Sequence, residues 1–131
     1  TVGRAVDDEA VVRCDAVLVD RMVDNLIDNA VRHNLDDGWV EVGVARSGDE
    51  VALSVANSGP ALDDAVVARL GEPFYRGRSG ERRIPGSGLG VAIARSIAEA
   101  HGGSLGLQAR EAGGLVVTVL MPAAEARRLE A

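Results

Sequence analysis

The sequence predicts an α/β domain. Three observations carry this. A helical stretch with a segregated apolar arc runs from Asp15 to about His33. Two stretches of near-alternating apolar residues, each broken by a glycine-containing turn, read as β-hairpins. A second apolar helix, Ala92 to Ala100, is entered through a glycine-rich loop and ends at His101-Gly102-Gly103. A chain of 131 residues suits one domain, burying about two thirds of its unfolded surface in a single core. Trp39, Phe74 and Tyr75 are the only aromatic residues, so that core must be built from Val, Leu, Ile and Ala.

Composition removes several classes of function. The net charge of −6 with so few rings argues against direct nucleic-acid binding, which calls for a basic face with stacking side chains. No apolar run approaches the ~18 residues of a membrane span, and no signal peptide opens the chain. Cys14 has no second cysteine to pair with, which fits a reducing compartment, and it reads as a small buried apolar residue. There is no internal repeat and no low-complexity linker.

Taken in order, residues 1–10 carry few signals, and Val11-Val12-Arg13 reads as a short edge strand. Asp15 is placed to cap the long helix, whose core face at about 100° per residue is Val19, Val23, Leu26, Ile27 and Ala30. Asn25, Asn29 and Arg32 fall together on another face; they either face water or meet a ligand, and two asparagines in register on an apolar helix favour neither reading by propensity alone. A turn from Asn34 to Gly38 leads into strands 39–46 and 51–56, joined through Ser47-Gly48-Asp49. Asn57-Ser58-Gly59-Pro60 is a turn, Asp63 to Leu70 a short capped helix, and 104–109 with 115–121 a closing hairpin joined through Gly113-Gly114 and stopped by Pro122. The tail from Ala123 reads as a frayed helix.

Gly86-Ser87-Gly88-Leu89-Gly90-Val91 opens the second helix with three alternate glycines, which let backbone N–H groups close around an anion at the positive end of a helix dipole. A plain loop-to-helix connection would look much the same. Arg76, Arg78, Arg82 and Arg83 lie just upstream within eight residues of an otherwise acidic chain, which points to a polyphosphate. A P-loop is excluded because the chain contains no lysine, and a dinucleotide fingerprint because the spacing is G-x-G-x-G after a loop.

These pieces stand in a definite order: the double-Asn helix, the Asn-Ser-Gly-Pro turn after a strand, Glu72-Pro73-Phe74-Tyr75-Arg76, the glycine seat and His101-Gly102-Gly103. Together they resemble the N, G1, F and G2 boxes of the GHKL ATP-binding fold, and most closely the catalytic ATP-binding domain of bacterial sensor histidine kinases. The resemblance runs from about Asp15 to Pro122. It implies a two-layer α/β sandwich (the Bergerat fold), a mixed, mostly antiparallel sheet covered on one face by helices, with the core of a single domain at about 10–122. It also implies ATP and Mg²⁺ as the bound species.

Carried over residue by residue, the resemblance makes Asn29 the Mg²⁺ ligand and Asn25 a neighbour of the phosphates; an amide oxygen plus phosphate oxygens and water suits so hard a cation. Arg32 stands where the family commonly has Lys, and His33 where a ring often lies near the base. In the G1 turn the family has Asp-x-Gly-x-Gly, whereas Asn57, Gly59 and Ala61 stand here, followed by Leu62. An amide accepts from the adenine amino group through its oxygen but can turn round and donate instead, so adenine selection is expected to be less strict than with Asp. Arg76 matches the residue that approaches the γ-phosphate and is the expected catalytic group, with Tyr75 and Arg78 beside it; Gly86, Ser87, Gly88, Leu89, Gly90 and Val91 form the phosphate seat.

The reaction implied is transfer of the ATP γ-phosphoryl group to a histidine on a separate dimerisation domain, which in turn serves a response regulator. Neither His33 nor His101 has the sequence context of such an acceptor, so the chain is expected to be one domain of a longer cytoplasmic or membrane-linked sensor, touching neither nucleic acid nor membrane itself. ATP-hydrolysing relatives carry Glu where this chain has Asn25, so little intrinsic ATPase activity is expected. Two alternatives stay open: a stand-alone regulator of the anti-sigma-factor Ser-kinase type, and a nucleotide-gated binding module. An upstream helical hairpin bearing a His would discriminate among the three.

Overall fold

The computed structural model describes residues 2–6, 10–32, 34–70 and 89–124. Five strands form one sheet in the order β1-β2-β3-β5-β4: β1 (Val2–Val6), β2 (Val40–Ser47), β3 (Glu50–Asn57), β4 (Ser104–Ala109) and β5 (Leu115–Pro122). β1 runs parallel to β2 and all other neighbours are antiparallel, so the sheet is mixed and mostly antiparallel as expected. Three helices accompany it, α1 (Ala16–Arg32), α2 (Asp64–Arg69) and α3 (Gly90–Ala100). Alternation places Val51, Val55 and Asn57 of β3 beside Leu115, Val117, Val119 and Met121 of β5 on one buried face. Met22, Leu26 and Ala30 of α1 and Val91, Ala94, Ile97 and Ala98 of α3 pack against that face. Each of the larger side chains among them contributes roughly 1.5–3 kcal/mol on burial and each alanine methyl about 0.8 kcal/mol, so this two-helix layer is a substantial source of stability. Among the described residues no helix is long and apolar enough to cross a membrane.

Local chemistry explains the element ends. Asp15 Oδ1 accepts from the N–H groups of Val17 (3.0 Å) and Leu18 (3.2 Å), the N-cap expected of it. Asp63 does the same for α2 through Val66 (2.9 Å). α3 ends where Gly102, at φ +79°, reverses the chain and the Gly103 N–H closes onto Ala98 O at 2.9 Å. Three expectations need correction. The edge strand is Val2–Val6 and not 11–13; Val12 turns into the core and Val11 O accepts from Ala124 N, because this stretch must carry the chain from the sheet to α1. The core stripe of α1 centres on Met22, Leu26 and Ala30, with Val23 and Ile27 only half-buried at its margin. Cys14 is exposed, since it lies just outside the cap of α1. The tail beyond Ala124 lies outside the described residues.

Candidate functional site

Asn25 and Asn29 stand one turn apart on α1, both half-buried. Asn25 meets the start of α3: a Cβ placed on Gly90 would lie 3.8 Å from the Asn25 carbonyl oxygen, an ordinary contact, so the packing of the two helices does not itself require glycine at 90. The N-cap of α3 is Leu89, which provides no side-chain acceptor, so among the described residues no side chain caps the first-turn N–H groups. Beside them the Asn25 Nδ2 is buried and has no hydrogen-bond partner among the described residues. A buried donor left unmade costs about 1–3 kcal/mol, which folds rarely carry without use. One anionic oxygen at this helix start would accept from the amide and meet the positive end of the dipole, so the arrangement fits a phosphate. Asn29 adds an amide oxygen of the hard type that Mg²⁺ takes.

Arg32 Nη2 pairs with Asp28 Oδ2 at 3.1 Å, with both side chains well exposed. Such an exposed pair is worth at most about 1 kcal/mol.

Asn57 closes β3, opposite Val40 on one side and Leu115 on the other, and is only 2% exposed. It is the one buried polar residue among the described residues of the core. Its Nδ2 donates to the Ser58 carbonyl oxygen at 2.7 Å. The sequence leaves this amide free to turn; in the structure one of its two N–H groups is held by the following residue, which directs the oxygen away from that carbonyl. Gly59 is buried behind it, Ala61 is exposed, and Leu62 packs against the core. Leu89 is half-buried, and Val91 is 5% exposed with its side chain in the core, leaving only its backbone to face a ligand. His33, Tyr75, Arg76, Arg78, Gly86, Ser87 and Gly88 lie outside the described residues.

Sequence reasoning missed the supports of the Asn57 turn. Ser58 and Asn34 bond side chain to side chain at 2.6 Å across 24 residues, and Gly114 N donates to Pro60 O at 3.1 Å. Nothing in local pattern marks such distant partners; the nearest signal is an asparagine and a glycine, Asn34 and Gly38, bracketing the turn after α1.

Residues 14–125 match the family model described as histidine kinase-, DNA gyrase B- and HSP90-like ATPase. The sensor protein CutS of Streptomyces coelicolor is 46% identical over 122 residues, covering 91% of this chain and 29% of CutS, so the chain spans under a third of that relative's length. Among solved structures, the nucleotide-free catalytic domain of the histidine kinase ThkA superposes with a TM-score of 0.78 at 27% identity, covering 93% of this chain and 79% of that one. Full-length ShkA in complex with AMPPNP gives a TM-score of 0.80 at 26% identity, covering 97% of this chain and 26% of ShkA. The chain belongs to the histidine kinase-, DNA gyrase B- and HSP90-like ATPase family, in the branch that supplies the catalytic domain of sensor histidine kinases.

Proposed function

We propose that this chain is the single ATP-binding catalytic domain of a longer two-component sensor kinase, that it binds ATP with Mg²⁺, and that it delivers the γ-phosphoryl group to a histidine on a separate dimerisation domain, from which a response regulator takes it. The observation that carries the reading is the buried Asn25 Nδ2, without a partner among the described residues, beside the start of α3, where Leu89 offers no side-chain cap; the two together suit a phosphate oxygen. The AMPPNP complex of ShkA, an ATP analogue in a similar fold, supports the choice of nucleotide. In this reading Asn29 ligates the metal, Asn25 and Arg32 hold phosphate oxygens, and the backbone from Gly86 to Val91 wraps the phosphates. His33 and Tyr75 flank the nucleotide, and Asn57, Gly59, Ala61 and Leu62 form the base side. Arg76, with Arg78 beside it, stabilises charge as the bond from Pγ to the ADP oxygen breaks and a bond from Pγ to the acceptor imidazole nitrogen forms. Mg²⁺ supplies charge neutralisation on the phosphate oxygens when bound.

Calorimetric titration with ADP, with and without Mg²⁺, tests the reading. The wild type should bind more tightly with the metal, and Asn29→Ala should lose most of that metal-dependent gain. An unchanged metal dependence in Asn29→Ala would remove the ligand role.

A further inference from the structure

Where α1 gives way to β2 and β3 gives way to the Asn57 turn, three residues close a polar clamp. The Ser58 hydroxyl donates to Asn34 Oδ1 at 2.6 Å and accepts from the Trp39 N–H at 2.8 Å. Trp39 O in turn receives Asn34 Nδ2 at 2.8 Å and the Ser58 N–H at 3.1 Å. The Ser58 proton and both lone pairs of the Trp39 carbonyl are thus used, and Asn34 Oδ1 accepts from the Leu35 N–H as well, at 2.8 Å. Gly38 is required beside it: a Cβ there would fall on Asn34 Oδ1, with 1.9 Å between them, and reach Ser58 Oγ at 2.5 Å. Arg110 roofs the clamp, its guanidinium 4.5 Å from the Trp39 ring centre and its Nη1 donating to Gly113 O at 2.9 Å.

We propose that Asn34 and Ser58 are positioning residues for recognition of the nucleotide base. This rests on the ATP-binding reading above. Ser58 acts at both ends: its hydroxyl ties the turn to the residues that follow α1, and its carbonyl takes the Asn57 Nδ2 at 2.7 Å. With Nδ2 held by that carbonyl through one of its two hydrogens, the amide cannot turn over, and Asn57 offers its oxygen to the base edge. The exocyclic amine of adenine can donate to it, whereas O6 of guanine meets it acceptor to acceptor. The clamp therefore fixes which way round the amide lies, so that its oxygen and not its nitrogen meets the base. Adenine preference is accordingly kept without a carboxylate, in contrast to the weaker selection the sequence alone suggested.

The test compares ADP with GDP, each with Mg²⁺, by calorimetric titration of the chain and its variants. Their ratio is the readout, because partial unfolding weakens both nucleotides alike. The wild type should prefer ADP. Ser58→Ala and Asn34→Ala should each cut that preference about tenfold, the effect of losing one well-made polar discrimination. Ser58→Thr, which keeps the hydroxyl, should hold it within about threefold. An unchanged ratio in Ser58→Ala, an equal loss of both nucleotides, or a wild type without preference would overturn the proposal. A wild type that binds neither nucleotide would instead overturn the ATP-binding reading itself.

Discussion

Gly114 offers a quantitative test of how the turn after β3 is held. It sits at φ +91°, and a Cβ on it would stand 1.9 Å from Asn57 O and 2.9 Å from the carbonyl carbons of Asn57 and Ser58. Adding that methyl group in Gly114→Ala carries two penalties. The left-handed backbone costs about 1–2 kcal/mol for an L side chain. The contact, far below the 3.0 Å that real Cβ atoms observe, forces the two backbones apart by about 1 Å. That separation strains the terminal Asn57–Leu115 pair of the β3–β5 ladder and the Gly114 N to Pro60 O bond, each worth about 1 kcal/mol. The expected total is about 3–4 kcal/mol, a large part of a typical 5–15 kcal/mol. Gly48→Ala is the control, since Gly48 has φ +60° but open space around it, leaving only the conformational penalty of about 1–2 kcal/mol. Urea unfolding followed by circular dichroism measures both. If Gly114→Ala costs no more than Gly48→Ala, the close approach of the two loops is not what constrains this turn.

Three further predictions follow from single contacts. Asn57→Asp puts a carboxylate oxygen where Nδ2 now donates to Ser58 O, at a site 2% exposed; it should destabilise the domain by about 2–3 kcal/mol in urea unfolding, and a neutral result would mean the amide does not donate there. His101 links the helices, its Nε2 accepting from Asp15 N at 3.1 Å and its Nδ1 lying 2.7 Å from Ile97 O, so His101→Ala should cost about 1–2 kcal/mol in the same assay, with equal stability counting against the link. Because both ring nitrogens of His101 are engaged, incubation with γ-labelled ATP should leave no acid-labile phosphate on it, and label found there by peptide mapping would contradict this.

The parts of the fold that sequence made legible are those specified by near neighbours. Asp15 and Asp63 cap their helices from within three residues, and Gly48, Gly113 and Gly114 take positive φ in the turns that join the hairpins. The parts that escaped depend on distant partners. β1 lies on the sheet edge with only β2 beside it, and its parallel pairing leaves no hairpin turn to announce it, whereas Val11-Val12 has β-branched character but forms no strand, Val12 packing against the core and Val11 staying exposed. Met22 displaced Val23 and Ile27 from the centre of the α1 stripe because the position of α3, which no periodicity within α1 encodes, decides which arc is covered. At the site, the order of the motifs was readable, but the orientation of the Asn57 amide was not, because it depends on a carbonyl placed by the backbone.

The two halves of the site are consequently held by different physics. In the proposed reading the phosphate half rests on helix packing, since Asn25 faces the start of α3 and Leu26 of α1 and Ala94 of α3 are both fully buried in the shared core. Such apolar burial is non-directional and is shared with the whole core, so its loss costs overall stability before it alters any one contact. In the proposed reading the base half rests on a few directional bonds among Asn34, Trp39 and Ser58, none of which belongs to the apolar core. Directional bonds set angle more than stability, so this half can be altered while the fold survives. Under the proposed function, base preference and phosphate affinity are therefore expected to be separable, and substitutions in the clamp should move the first while leaving the second in place.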